Sequence, residues 1–223
     1  MTSQSPASDA AARKAHARQP LALLIALGVI CAATLWAPPA GRTSWLLEVT
    51  PGLLMVLWLG LAYRRMPLSH WVYAGVFVHV LILIYGGYYT YALTPLGNWA
   101  KTAFHLSRNH YDRIGHVALG VFPVFMTREI LLRKTPLARG GWLSFLSVSV
   151  VFAFAAFWEL LEWWTTLVVA GDTGTAFLGS QGDVWDAQWD MFLALLGAIV
   201  ALLLGSRAHD RFIRRVPYPS AQL

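Results

Sequence analysis

The chain has 223 residues, of which 57% are hydrophobic and only 13% are charged. Soluble domains usually carry about 25% charged residues, so this composition argues against an ordinary soluble domain and favours a membrane protein. The formal net charge is +6. Because the Lys and Arg residues are scattered between apolar runs, as the loop charges of membrane proteins are, we expect no nucleic-acid binding.

Six apolar runs follow a polar first segment. Residues 1–20 are small, polar and basic, which predicts a disordered cytoplasmic tail. Each later run is near or above the roughly 20 residues that cross a hydrocarbon core about 30 Å thick. We therefore predict an all-α polytopic membrane protein with a single domain over residues 21–205 and a basic tail over residues 206–223. Its six predicted transmembrane helices cover residues 21–37, 44–63, 70–93, 111–132, 142–170 and 185–205.

The basic residues predict which side of the membrane each connection faces. Short loops rich in Lys and Arg remain in the cytoplasm. Such clusters occur in the N-terminal tail, in the second and fourth connections and after residue 205. The third connection, residues 94–110, also has basic residues and weakens this bias without reversing it. Both termini are therefore predicted to be cytoplasmic.

Ionisable residues within the spans are concentrated in three segments: YDRIGH, FWELLEWW and QGDVWDAQWDM. Each segment places two of them three or four residues apart, hence on nearly the same face of a helix. These pairs are Asp112 with His116, Glu159 with Glu162, and Asp186 with Asp190. Such groups are costly in lipid, so they indicate a function by default.

The helical rise of about 1.5 Å per residue places these pairs at similar depth. His116 and Asp190 are predicted to lie roughly 6 to 8 Å below the outer face, and the two glutamates roughly 10 to 15 Å below it. We therefore predict one polar cavity in the outer leaflet. The candidate catalytic residues are His116, Glu159, Glu162 and Asp190, and the candidate metal ligands are these four and Asp186. The residues predicted to line the cavity or contact a substrate are Asp112, Arg113, Asp183, Asp186 and Gln188.

Several of these residues have simpler alternatives. Asp183 or Asp186 could cap the sixth span, where a negative charge favours the helix dipole. Asn109 and Asp112 could do the same for the fourth span. Arg113 could neutralise one of the acids, and His116 alone could be a buried histidine bonded to a carbonyl. Glu48 in the second span is a further candidate for the cavity.

The other end of the fourth span has a different pattern. Arg128 and Glu129 lie close to Arg133 and Lys134, which predicts snorkelling side chains and a local ion pair. Pro123, between this group and His116, predicts a kink in the helix.

Three stretches carry a resemblance to a known family. NHYDRIGHVALGVFPVFMTREIL, FWELLEWW and LGSQGDVWDAQWDMFLALLGA resemble the YjdF-like inner membrane proteins of bacteria, over residues 69–205. The resemblance implies a multi-pass protein of the bacterial inner membrane and no particular activity.

A looser similarity is to the VanZ-like proteins, which are associated with glycopeptide resistance. The matching positions are Asp112 with His116, Glu162, and Asp190 with Gly197. The chain has Ala194 where that family usually has asparagine.

Three functions fit these observations. The first is an enzyme, assisted by a divalent metal, that acts on an envelope lipid or lipid-linked molecule. The second is a transporter that uses the acids to bind a cation or relay protons. The third is a non-catalytic envelope factor whose polar cluster holds helices together. The lipid bilayer is the one partner that the sequence predicts, and the oligomeric state is left open.

Overall fold

The computed structural model describes residues 6–168 and 180–217. This part of the chain is all-α and has no strand, as predicted. Along it follow α1 Pro6–Trp36, α2 Arg42–Ala62, α3 His70–Tyr89, a 3₁₀ turn Tyr91–Leu93, α4 Pro95–Ala103, α5 Tyr111–Val121, α6 Pro123–Lys134, α7 Gly141–Val168 and α8 Asp186–Ile213.

Six segments of the described chain are long and apolar enough to cross a membrane. Five of them are α1, α2, α3, α7 and α8, and the remaining one, Tyr111–Lys134, consists of α5 and α6. The prediction of about six transmembrane helices is therefore confirmed. The last helix continues to Ile213 instead of ending near residue 205. Residues 169 and 170, the predicted end of the fifth span, and residues 218–223 of the predicted basic tail lie outside the described residues.

Helix α1 begins earlier than the composition predicts. It starts at Pro6, within the expected disordered tail, and residues 1–5 lie outside the described residues. Nδ1 of His16 lies 3.1 Å from the Tyr63 hydroxyl, and the His16 carbonyl accepts a hydrogen bond of 3.0 Å from His70 Nε2. The rings of His16 and His70 also stack, with centroids 4.3 Å apart. Composition does not reveal these contacts because the partners of His16 lie 47 and 54 residues away.

Helices α5 and α6 run alongside α8 in the same direction, since Val117 meets Gly197 and Phe125 meets Gly205. The crossing is close. A Cβ on Gly197 would lie 2.6 Å from the Val117 carbonyl oxygen, and one on Gly120 would overlap the backbone of α8. Small residues let membrane helices approach each other in this way, so the first turns of α5 and α8 lie side by side.

We call the end of the bundle at which α5 and α8 begin the upper end, and the opposite end the lower end. Helix α7 runs in the opposite direction, which brings Glu159 and Glu162, in its second half, towards the upper end. The connection after α1 also reaches this end, because Ala40 N donates a hydrogen bond of 3.2 Å to the carbonyl oxygen of Tyr88 in the last turn of α3.

Candidate functional site

Four ionisable side chains from α5, α7 and α8 meet below the upper end. The ligand atoms of Asp112, His116 and Asp190 all lie within 4.8 Å of one another. Nε2 of His116 is 3.5 Å from Asp112 Oδ1 and 3.5 Å from Glu159 Oε1. We call these four residues the carboxylate–histidine site. The structure thus brings together three of the candidate catalytic residues with Asp112, while their chemical roles stay predictions.

The carboxylate–histidine site is buried but incompletely hydrogen-bonded. Asp190 is 2% exposed and His116 is 4% exposed. Three atoms have no hydrogen-bond partner among the described residues: His116 Nδ1, Glu159 Oε1 and Asp190 Oδ1. A carboxylate in apolar surroundings is costly unless it is paired or binds a metal. A bound cation would satisfy these oxygens.

Two further carboxyl groups lie beside this site. Glu162 of α7 and Glu48 of α2 are both buried, and each interacts electrostatically with Asp112. The ring of Tyr91 packs against Gly115 of α5. Burial, together with the nearby carboxyls of Glu48 and Asp112, raises the pKa of Tyr91 well above its ordinary value. Its hydroxyl therefore stays protonated and can act as a hydrogen-bond donor at this edge of the site.

Sequence reasoning missed His79 of α3, a buried residue of this region. It is 2% exposed and interacts electrostatically with His116. Its Nδ1 has no hydrogen-bond partner within the described ranges. The sequence alone could have identified His79, because an ionisable residue inside a membrane span is itself an indication of function. However, His79 has no second polar residue at helical spacing, and the search for such pairs therefore passed over it.

Two arginines neutralise acids at the mouth of the site. Arg108 donates a short hydrogen bond to Asp186, and Arg113 Nη2 lies 2.7 Å from Asp183 Oδ2. Asp183 Oδ1 also accepts a hydrogen bond of 3.0 Å from Trp185 N, just before α8. Asp186, a candidate metal ligand, therefore has an arginine partner and is not among the three residues whose ligand atoms converge.

Asn109 and Gln181 connect the starts of α5 and α8. Asn109 N donates to Gln181 Oε1 at 3.1 Å, and Gln181 Nε2 donates to the Asn109 carbonyl oxygen at 2.8 Å. Asn109 Oδ1 also accepts a hydrogen bond of 3.0 Å from Tyr111 N in the first turn of α5. These bonds hold the mouth of the site together, and neither residue was among the predicted site residues.

Gln188 does not reach the site. Its side chain is exposed, although the sequence predicts it to line the cavity. Gln188 lies two residues after Asp186 and two before Asp190, and residues two apart in a helix point to nearly opposite faces. The predicted depth of Gln188 therefore did not show that its side chain points away from the site.

A second polar group, the Glu129 cluster, lies at the lower end. It consists of Ser69, Glu129, Arg133 and His209. Both oxygens of Glu129 are hydrogen-bonded: Oε1 to Arg133 Nη2 at 2.7 Å, and Oε2 to Ser69 Oγ at 2.6 Å and His209 Nε2 at 3.1 Å. Ser69 N donates to both oxygens. The cluster therefore joins the start of α3 to the ends of α6 and α8.

The Glu129 cluster corrects part of the prediction for this end. The local ion pair is present, between Glu129 and Arg133, but Glu129 is fully buried and Arg128 is 4% exposed, so neither side chain snorkels. Arg128 lies 3.2 Å from Nδ1 of His209 and 2.8 Å from Asp210. Because Arg128 can only donate, His209 carries its proton on Nε2, facing Glu129. The reason for the difference is that the partners Ser69 and His209 are distant in sequence.

Fold and site together define a multi-pass helical membrane protein with a buried group of carboxylates and histidine. The chain belongs to the family described as predicted membrane protein (DUF2238), which matches residues 20–211. It is also 42% identical over 174 residues to the inner membrane protein YjdF of Escherichia coli (strain K12), a match that covers 78% of this chain and 83% of that protein. No solved structure matches the chain.

These comparisons confirm the resemblance to the YjdF-like proteins and the predicted location in a bacterial inner membrane. They assign no reaction or substrate, so what the site does must be argued from its chemistry.

Proposed function

We propose that the chain is a membrane enzyme that uses a divalent metal to act on an envelope lipid or a lipid-linked molecule. The observation that carries the proposal is the convergence of Asp112, His116 and Asp190, whose ligand atoms lie within 4.8 Å of one another. Three protein ligands that include histidine and carboxylates are typical of catalytic metal sites, which keep a coordination position open for water or substrate.

The ligand types favour Zn²⁺ or Mn²⁺. Ca²⁺ and Mg²⁺ prefer oxygen ligands alone, whereas an imidazole combined with carboxylates also suits transition metals and zinc. A bound metal would supply Lewis acidity and would lower the pKa of a water ligand. Glu159, 3.5 Å from His116 Nε2, is suitably placed to exchange a proton with such a water or with a leaving group.

The orientation supports a substrate on the outer side of the membrane. The basic connections that contain Arg64, Arg133 and Arg139 lie at the lower end, and such connections remain in the cytoplasm. The carboxylate–histidine site is near the upper end, which would then face the periplasm. Because the site lies within helices that cross the bilayer, a substrate carried on a lipid could reach it laterally.

The two alternative functions have weaker support. A proton or cation path would have to connect both ends of the bundle, but the buried residues of α8 between Asp190 and His209 are all alanine, glycine or leucine. A purely structural cluster would be expected to pair its polar atoms, whereas Asp190 Oδ1 has no partner among the described residues.

The metal is tested first. The full-length chain, purified in detergent after expression with Zn²⁺ and Mn²⁺ supplied, should contain metal in equimolar amount by inductively coupled plasma mass spectrometry. Asp190→Asn should lose it. Asp210→Asn is the matched control, because it makes the same chemical change on the same helix, at a residue paired with Arg128 at the lower end. Absence of metal from the parent protein, or equal metal in Asp190→Asn, would contradict the proposal.

The reaction is tested separately by comparing envelope lipids. Cells that lack the endogenous gene should show altered abundance of at least one lipid or lipid-linked species. The parent chain and Asp210→Asn should restore the normal pattern, but Asp190→Asn and Glu159→Gln should not. If Glu159→Gln restores the lipids while retaining metal, Glu159 takes no part in proton transfer.

A further inference from the structure

A groove of about 310 Å³ lies between α1, α2 and α3, on a different side of the bundle from the carboxylate–histidine site. Its walls are almost entirely apolar. The apolar side chains along it include Leu21, Leu24, Leu27, Val56, Leu59 and Phe77. The groove is open on one side, and α1 is the least buried of the spans in the described chain.

The position of the groove limits what can fill it. Its lining on α1 extends from Ala17 to Leu27, which corresponds to about 15 Å along the helix. That is roughly half of a hydrocarbon core about 30 Å thick. Since His16 contacts Tyr63 and His70 at the lower end, the groove occupies the leaflet on that side. It therefore opens to lipid tails.

The mouth of the groove carries positive charge. Arg64 belongs to its lining and is exposed, and Arg18, next to the lining residue Ala17, is also exposed. Basic residues that border a cleft between membrane helices on the cytoplasmic side favour anionic lipid headgroups. We propose that the groove binds one acyl chain of an anionic phospholipid, with the phosphate of its headgroup at Arg64.

The two glycines Gly60 and Gly28 allow a matched test. A Cβ built on either residue meets no other part of the described chain within 4 Å, so both positions have open space beside the helix. Gly60 lines the groove, whereas Gly28 does not. Gly60→Leu therefore adds a branched side chain to the groove, and Gly28→Leu makes the same change on an open helix surface.

The experiment is a native mass spectrometry titration of the full chain in micelles with dioleoyl phosphatidylglycerol. We expect the parent chain and Gly28→Leu to retain bound lipid and Gly60→Leu to lose it. Arg64→Gln should weaken retention about fivefold, the effect of one basic residue near a headgroup. Arg207→Gln, which removes an exposed charge of α8 outside the groove, should leave retention unchanged. Dioleoyl phosphatidylcholine should bind more weakly than phosphatidylglycerol to the parent chain.

Three results would overturn the proposal. Retention by Gly60→Leu equal to that of Gly28→Leu would show that the groove holds no lipid. Equal binding of both lipids, with no effect of Arg64→Gln, would show ordinary annular lipid only. A dimer that is abolished by Gly60→Leu and does not depend on added lipid would assign the groove to a second copy of the chain.

Discussion

The carboxylate–histidine site and the Glu129 cluster are composed of similar residues but differ in how their polar atoms are paired. In the Glu129 cluster both carboxylate oxygens receive hydrogen bonds from serine, arginine and histidine. In the carboxylate–histidine site, Asp190 Oδ1 and Glu159 Oε1 have no hydrogen-bond partner in the described part of the chain. A cluster whose carboxylate oxygens are all hydrogen-bonded stabilises a fold, whereas carboxylate oxygens that lack hydrogen bonds inside a protein are typical of functional sites.

The largest expected effect comes from removing the carboxylate of the paired cluster. Glu129→Ala leaves Arg133 buried without its main counter-charge, so the free energy of unfolding should fall by about 3 to 5 kcal/mol. The loss is measured from thermal unfolding in detergent, with size-exclusion chromatography used to determine the folded fraction after heating. Glu159→Ala, the same substitution in the other region, should cost far less in metal-free protein. Equal losses from the two substitutions would remove the distinction between the regions.

A metal bound at the carboxylate–histidine site should supply the pairing that the Glu129 cluster already has, and it should therefore raise the free energy of unfolding. Adding Zn²⁺ or Mn²⁺ at about 100 times its Kd to chelator-treated protein should stabilise the fold by about 2.7 kcal/mol. Asp190→Asn should show no such gain, and Asp210→Asn should show all of it. The measurement is the shift in unfolding temperature with metal concentration. A gain that persists in Asp190→Asn would place the metal elsewhere.

The close crossing beside the carboxylate–histidine site offers a third test. Gly197→Ala places a methyl group against the Val117 carbonyl oxygen, at 2.6 Å, where only backbone could yield. We expect a loss of about 1 to 3 kcal/mol, together with weaker metal binding, because α5 and α8 must separate. Gly205→Ala meets only the ring of Phe125, a side chain that can turn aside. It should therefore cost less and leave metal binding intact.

The smallest effects are expected at the partly exposed ion pairs that border each region. Arg113→Gln removes a pair in which both side chains are about one quarter exposed, so the loss should be below about 1 kcal/mol and should vanish in high salt. Arg139→Gln, which removes the pair with Asp210 at the lower end, should behave alike. A loss at Arg113 that high salt does not reduce would indicate that the arginine supports the buried site directly.

Much of this architecture follows from the sequence. Span length and apolar composition predicted the six helices, and the four-residue spacings predicted that Asp112 and His116 share a face, as do Asp186 and Asp190. The helical rise predicted that the three pairs lie at similar depth. Depth is only one coordinate, however. The direction around the helix axis decided that Asp190 reaches His116 while Gln188 is exposed, and that direction depends on how α5 and α8 pack.

The Glu129 cluster could not have been predicted in the same way. Glu129 and Arg133 are four residues apart, which identifies a local ion pair and nothing more. The hydrogen bonds from Ser69 and His209 span 60 and 80 residues. Only the assembled bundle shows that the start of α3 and the end of α8 meet there. His79 was missed for the related reason that its neighbour His116 lies on another helix.

Pro123 interrupts the helix of the fourth span between the two regions. Proline has no N–H, so it cannot donate the hydrogen bond that would continue α5 into α6, and α5 ends at Val121 while α6 begins at Pro123. Asp112 and His116 lie in α5, before this interruption, and Glu129 and Arg133 lie in α6, after it. The ladder of backbone hydrogen bonds along the span is therefore interrupted between the carboxylate–histidine site and the Glu129 cluster.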